Sequence, residues 1–178
     1  IIVRTLHSKF WASGAGIGMV EKFEHKFKEY LSGTTCVTVN SGTAALHLAL
    51  SLFNIKNKEV IIPSLSFVAT AHAVIYNGGI PIFADVDKKT LCLNSESIIK
   101  KISKKTRAII PVHFGGFPCE MNNILKIAKE NKLAIVEDAA HASGASYRNK
   151  KIGTHADAVC FSFHPIKNLA MPGGGLIS

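Results

Sequence analysis

Ala134-Ile135-Val136-Glu137-Asp138-Ala139-Ala140-His141-Ala142 is the stretch on which the fold turns. A continuous apolar run that stops at two acids reads as a short strand buried on both faces, because a strand with one wet face would alternate apolar and polar residues. His141 follows Asp138 by three residues, and the alanines between them leave room for a ligand at the strand end. Surface capping of a helix and a metal dyad are the competing readings, although the sequence offers no obvious further metal ligands.

The same kind of run recurs at residues 36–39, 60–62, 80–83, 108–111, 134–136 and 158–161, each read as a buried parallel strand. Helical periodicity fills the gaps. Residues 20–31 put Val20, Phe23, Phe27 and Tyr30 on one face with charges opposite, and further helices are expected at 43–53, 68–76, 95–101 and 121–131. Strand alternating with helix gives an α/β fold with a mostly parallel central sheet flanked by helices, and ligands gather at the carboxyl ends of such strands. A length of 178 residues fits one domain, 1–178, with a turn at Gly173-Gly174-Gly175 before a last apolar segment.

Composition narrows the function. The net charge of +9 is spread along the chain without an aromatic-rich binding motif, so we expect no nucleic-acid partner but a solvated surface or a bias toward anionic, phosphorylated ligands. Cys36, Cys92, Cys119 and Cys160 lack the paired spacing of a zinc site and read as reduced and mostly buried. No apolar run reaches the roughly 20 residues of a membrane span and no signal peptide opens the chain, so a cytoplasmic location without membrane association is expected. A start at Ile1 and an end directly after an apolar segment are what truncation would leave.

The other strand ends carry polar and aromatic groups. Ser41-Gly42-Thr43 opens a helix, which makes it a phosphate seat or an ordinary cap. Phe67, at the start of the next helix, is a flat surface for a ring or a core phenylalanine. Asp85-Val86-Asp87 reads as a turn with side-chain capping rather than a metal site, and His47 as a packed or exposed residue without a catalytic part. In Phe161-Ser162-Phe163-His164-Pro165-Ile166-Lys167-Asn168 a lysine follows the last strand. A lysine amine and an acid such as Asp138 over one ligand are what pyridoxal phosphate chemistry uses: the lysine carries the cofactor as a Schiff base and the carboxylate keeps the ring nitrogen protonated.

With these motifs in order, the chain resembles the DegT/DnrJ/EryC1/StrS family of sugar aminotransferases, fold type I pyridoxal phosphate enzymes. The matching stretches run from Ser41-Gly42-Thr43-Ala44-Ala45-Leu46 through Phe67-Val68-Ala69-Thr70, Pro111-Val112-His113 and Glu137-Asp138-Ala139-Ala140-His141-Ala142 to Ser162-Phe163-His164 and Lys167-Asn168. The resemblance implies the large domain of the aspartate-aminotransferase-like fold, without the family's small carboxyl-terminal domain. It implies Lys167 as catalytic residue, Asp138 at the pyridine nitrogen, Phe67 and His141 bracketing or orienting the ring, and Gly42, Thr43 and Ser162 on the phosphate. It further implies a homodimer that moves an amino group from an amino acid, usually glutamate, to a nucleotide-linked keto-sugar for amino-sugar or surface-polysaccharide synthesis. Two departures stand out. Family members are about twice as long, and the turn after the lysine often carries an acid where this chain reads Met171-Pro172-Gly173-Gly174-Gly175. A related dehydratase would carry histidine in place of Lys167; a non-catalytic or regulatory cofactor-binding protein is the alternative outside enzymes.

Overall fold

The computed structural model describes residues 2–9, 18–32 and 35–178. In chain order its elements are α1 (Ile2–Ser8), α2 (Met19–Tyr30), β1 (Val37–Val39), α3 (Gly42–Ser51), β2 (Glu59–Pro63), α4 (Val68–Tyr76), β3 (Ile80–Ala84), α5 (Ser95–Lys101), β4 (Thr106–Ile109), α6 (Met121–Asn131), β5 (Ala134–Asp138), β6 (Ser146–Tyr147), β7 (Lys150–Lys151), β8 (Ala158–Ser162) and β9 (Gly175–Ile177). Seven strands form one sheet in the order β1-β9-β8-β5-β4-β2-β3, and β6 and β7 make a separate hairpin. The α/β class and the mostly parallel sheet are as expected.

Strand alternation sends successive residues to opposite faces, and two cores result. Ala45, Leu46, Ala49 and Leu50 of α3 and Ala73 and Val74 of α4 pack on one face with Val60, Ile62, Val136, Ala158 and Cys160. On the other face Phe27 of α2, Ile98 of α5 and Met121, Ile124 and Ile127 of α6 meet Ile61, Ile109, Ile135, Val159 and Phe161. The aromatic face expected on α2 is real: Phe27 meets Phe161 edge-on at 5.2 Å between ring centroids, and Phe23 meets Phe163 at 5.3 Å. All four cysteines are buried free thiols.

Two expected strands need correction, and the last apolar segment gains an assignment. The last apolar segment is a strand, β9, which pairs antiparallel with both β1 and β8 and separates them. The runs at 36–39 and 80–83, expected to be buried, become the edge strands β1 and β3, where Val37, Ile80 and Phe83 are exposed. An edge strand has a neighbour on one side only, and apolar content does not reveal which strand ends up there. Among the described residues no helix is long and apolar enough to cross a membrane.

Glu137 and Asp138, adjacent in sequence, face opposite layers. Glu137 is wholly buried against His113, Oε2 to Nε2 at 2.7 Å. Cys119 N–H donates to His113 Nδ1 at 3.0 Å, so the ring's own proton sits on Nε2 and is donated to Glu137. The backbone at His113 is tied to the same strand, its N–H donating to Asp138 O at 3.1 Å. Removing one member of such a pair strands a buried polar group. His113→Leu is therefore expected to cost about 3–5 kcal/mol in urea unfolding, with much of the loss recovered in His113→Leu/Glu137→Leu. An unchanged midpoint in the single variant would show that the pair contributes nothing.

Candidate active site

The carboxyl ends of β1, β5 and β8 and the segment after β2 open on a cavity of about 620 Å³, a volume typical of small-molecule sites. Asp138 ends β5 there, 5% exposed. Its Oδ2 accepts from Thr70 Oγ1 at 2.8 Å and its Oδ1 from Ala140 N–H at 3.2 Å. Thr70 is wholly buried in α4, and its hydroxyl also meets Ser66 Oγ at 2.7 Å.

The wall beside β8 depends on close backbone approach. Ser41 caps α3, its Oγ accepting from Ala44 N–H at 3.1 Å. The cap reading of Ser41-Gly42-Thr43 thus holds for the serine hydroxyl. It leaves the first amides, those of Gly42 and Thr43, without intrahelical acceptors at the cavity edge. A Cβ on Gly42 would lie 2.7 Å from Ser162 Cβ, and one on Gly175 2.5 Å from the Ser41 carbonyl. Only glycine at both positions lets the start of α3 sit against β8 and β9, which brings the amides and the Ser162 hydroxyl together. Amide dipoles at a helix start and a hydroxyl form a suitable cradle for a phosphate group.

Lys167 lies in a turn beyond β8. Its N–H donates to His164 O and Met171 N–H to Phe163 O, both at 2.8 Å, while Asn168 Nδ2 donates to Ser143 O. The half-buried lysine lines the same cavity as Asp138. His141 Nδ1 accepts from Gly115 N–H at 3.2 Å, so the neutral ring carries its proton on Nε2. Burial, and then the Lys167 charge, hold the His141 pKa below its ordinary value, with Asp138 pulling the other way. The Cys160 thiol, paired in register with Asp138, lies in the core behind the cavity wall and is pushed up by burial and then by Asp138 and Glu137.

All seven site residues read from sequence, Gly42, Thr43, Phe67, Asp138, His141, Ser162 and Lys167, line this cavity. Phe67 is 73% exposed, which excludes its reading as a core residue. His47 is exposed and meets Tyr76 at 6.0 Å, outside the cavity. Asp87 Oδ1 accepts from the amides of Lys89 and Thr90, the capped turn expected. Sequence reasoning gave no role to Ser66 or Thr70; their i, i+4 spacing at a helix start was the available signal. Among the described residues no three His, Cys, Asp or Glu side chains gather as a metal site.

A sequence model of the DegT/DnrJ/EryC1/StrS aminotransferase family matches residues 2–178. GDP-perosamine synthase of Caulobacter vibrioides is 41% identical over 94% of this chain and 45% of its own length. The structure of DesV from S. venezuelae superposes with a TM-score of 0.93 at 38% identity, covering 99% of this chain and 47% of that one. The pyridoxal-phosphate form of the sugar aminotransferase Spr1654 from Streptococcus pneumoniae superposes with a TM-score of 0.93 at 27% identity, covering 99% and 48%. The chain belongs to the DegT/DnrJ/EryC1/StrS aminotransferase family and spans about half the length of these relatives.

Two outcomes test the site's construction. Gly42→Ala is expected to cost about 1–3 kcal/mol in denaturant unfolding through overpacking against Ser162, and Ser162→Gly in the same chain should recover part of it; equal stability of Gly42→Ala and the parent would refute the close approach. His141, and His155 through burial, have pKa values below 6.5. A histidine held neutral takes up protons more readily when unfolded. The stability each contributes is fully present above pH 6.5 and is lost as pH falls from there toward the lowered value. His141→Gln/His155→Gln should flatten that acid limb of a melting-temperature profile, and an unaltered limb would contradict the assignment.

Proposed function

From its family membership and this cavity, we propose that residues 1–178 are the large, cofactor-binding domain of a pyridoxal 5'-phosphate-dependent aminotransferase. The reaction moves the amino group of an amino acid, glutamate in the first instance, to a keto-sugar linked to a nucleotide, for amino-sugar or surface-polysaccharide synthesis. One observation carries the reading: a lysine amine, a buried carboxylate and a helix start with a facing hydroxyl line one cavity at the strand ends. The related GDP-perosamine synthase supports the nucleotide-sugar class, and the pyridoxal-phosphate form of Spr1654 supports the cofactor. The net charge of +9 suits two anionic ligands.

The residues present fit the cofactor. When bound, it supplies an electron sink for the carbon that bears the amino group. Gly42 and Thr43 amides and the Ser162 hydroxyl would hold the phosphate, and Asp138 would hold the proton on the ring nitrogen. Phe67 and His141 offer an aromatic surface and an Nε2–H donor beside the ring. Lys167 Nζ would be the covalent anchor and would then move the proton at the donor's α-carbon, a task that suits a flexible amine. The exposed Leu52, Phe67, Val68, Ile75 and Tyr76 on and beside α3 and α4 support a homodimer through that face.

Incubation with pyridoxal phosphate followed by borohydride reduction and peptide mass mapping tests the reading. The expected adduct is on Lys167, absent from Lys167→Ala, and prior addition of glutamate should prevent it by leaving the cofactor in its amine form. Equal labelling of surface lysines with none at Lys167 would overturn the proposal.

A further inference from the structure

Asp138 is held by donors of two kinds. Ala140 N–H, at 3.2 Å, comes from two residues along the same chain segment, so it follows any movement of the strand end. Thr70 Oγ1, at 2.8 Å, comes from 68 residues away, out of α4. Only the second bond ties the carboxylate to a different element. It is also the more buried: Thr70 has no exposed surface. Where a carboxylate must meet a ring nitrogen, the plane of its oxygens decides whether a lone pair points at the proton, and one local amide does not fix that plane.

The direction of the hydrogens can be worked out. An ionised carboxylate only accepts, so the single hydroxyl proton of Thr70 goes to Asp138 Oδ2. The 2.7 Å contact between Ser66 Oγ and Thr70 Oγ1 must then be donated by Ser66. The result is a one-way relay, Ser66 to Thr70 to Asp138, in which each donor polarises the next and strengthens the bond at the carboxylate. Ser66 lines the cavity, and with its proton committed its oxygen can only accept there.

We infer that Thr70 is a positioning residue for Asp138 and that Ser66 polarises it. The inference rests on the reading of Asp138 as the partner of the pyridoxal phosphate ring nitrogen. Thr70→Val keeps the side-chain shape and removes the donor, while Thr70→Ser keeps the donor.

The test is titration of wild type and variants with pyridoxal phosphate labelled with ¹⁵N in the ring. Thr70→Val is expected to weaken binding at least about tenfold, the scale of a lost hydrogen bond to a charged group, and to move the ¹⁵N resonance toward unprotonated nitrogen. Thr70→Ser should restore both, and Ser66→Ala should move both the same way by less. In the cofactor-free protein, Thr70→Val should lower the melting temperature when Asp138 is present and barely do so in Asp138→Ala. If wild type takes up no cofactor, the functional reading falls and this inference with it. If wild type binds and Thr70→Val matches it in affinity and resonance, or Thr70→Ser fails as badly as Thr70→Val, only the positioning role falls. Should Thr70→Val not fold, Ser66→Ala decides, and an unmoved resonance there refutes the relay.

Discussion

The absence of two Cβ atoms sets the geometry on which the rest of the site depends. Gly42 faces Ser162, and Gly175 faces the Ser41 carbonyl, at separations that no side chain can occupy. Because the backbones meet there, the start of α3 is seated over β8 and β9 rather than beyond them. The helix thus brings its first amides, which have no intrahelical acceptors, to the same edge of the sheet where Asp138 and Ser162 end their strands. The apolar burial of Ala45, Leu46, Ala49 and Leu50 holds the helix down, and the two glycines let it settle at this depth.

The second organising fact is the period of a strand. Two neighbouring acids would repel if they faced one space; pleating puts them in different layers. Glu137 goes to the His113 side and is matched there by an imidazole donor. Asp138 goes to the α4 side and is matched by a hydroxyl and an amide. The two partners differ in consequence. A histidine pair sealed at zero exposure belongs to the core and ties β5 to the segment after β4. Hydroxyl and amide donors keep Asp138 at the cavity wall, where under the proposed function it would face the cofactor's ring nitrogen.

Local signals in the sequence were enough for most of this. The runs at 134–136 and 158–161, the helix start at Ser41 and the aromatic spacing of Phe23 and Phe27 depend on neighbours within a turn or a few residues, and the structure places them as read. What was missed depends on separation. Whether a strand is central or at an edge is decided by pairing partners far along the chain, and so β1 and β3 read as buried when Val37, Ile80 and Phe83 are exposed. The insertion of β9 between β1 and β8 is of the same kind. Thr70 was seen as part of a motif but given no role, since its partner lies 68 residues on and a threonine in an apolar helix reads as tolerated rather than employed. Phe67 stayed ambiguous for the opposite reason: a phenylalanine carries no mark of exposure, and only the loop after β2 decides that it faces the cavity.

The cavity also divides its electrostatic work in a way that the net charge of the chain conceals. Of the 21 Lys and Arg residues, Lys167 is the one that lines the cavity among the described residues. His141 beside it is kept neutral by burial and by that same lysine. Under the proposed function, anion holding would therefore fall to groups without net charge, the α3 amides and the Ser162 hydroxyl, whose donor strength does not change with pH. A phosphate gripped by a second lysine or an arginine would couple its hold to the charge of Lys167 through mutual repulsion, which is strong at short range in a partly desolvated site. Dipolar donors remove that coupling. Under the proposed function, a proton moved by Lys167 would leave the hold on the phosphate unchanged, which would separate binding from proton transfer.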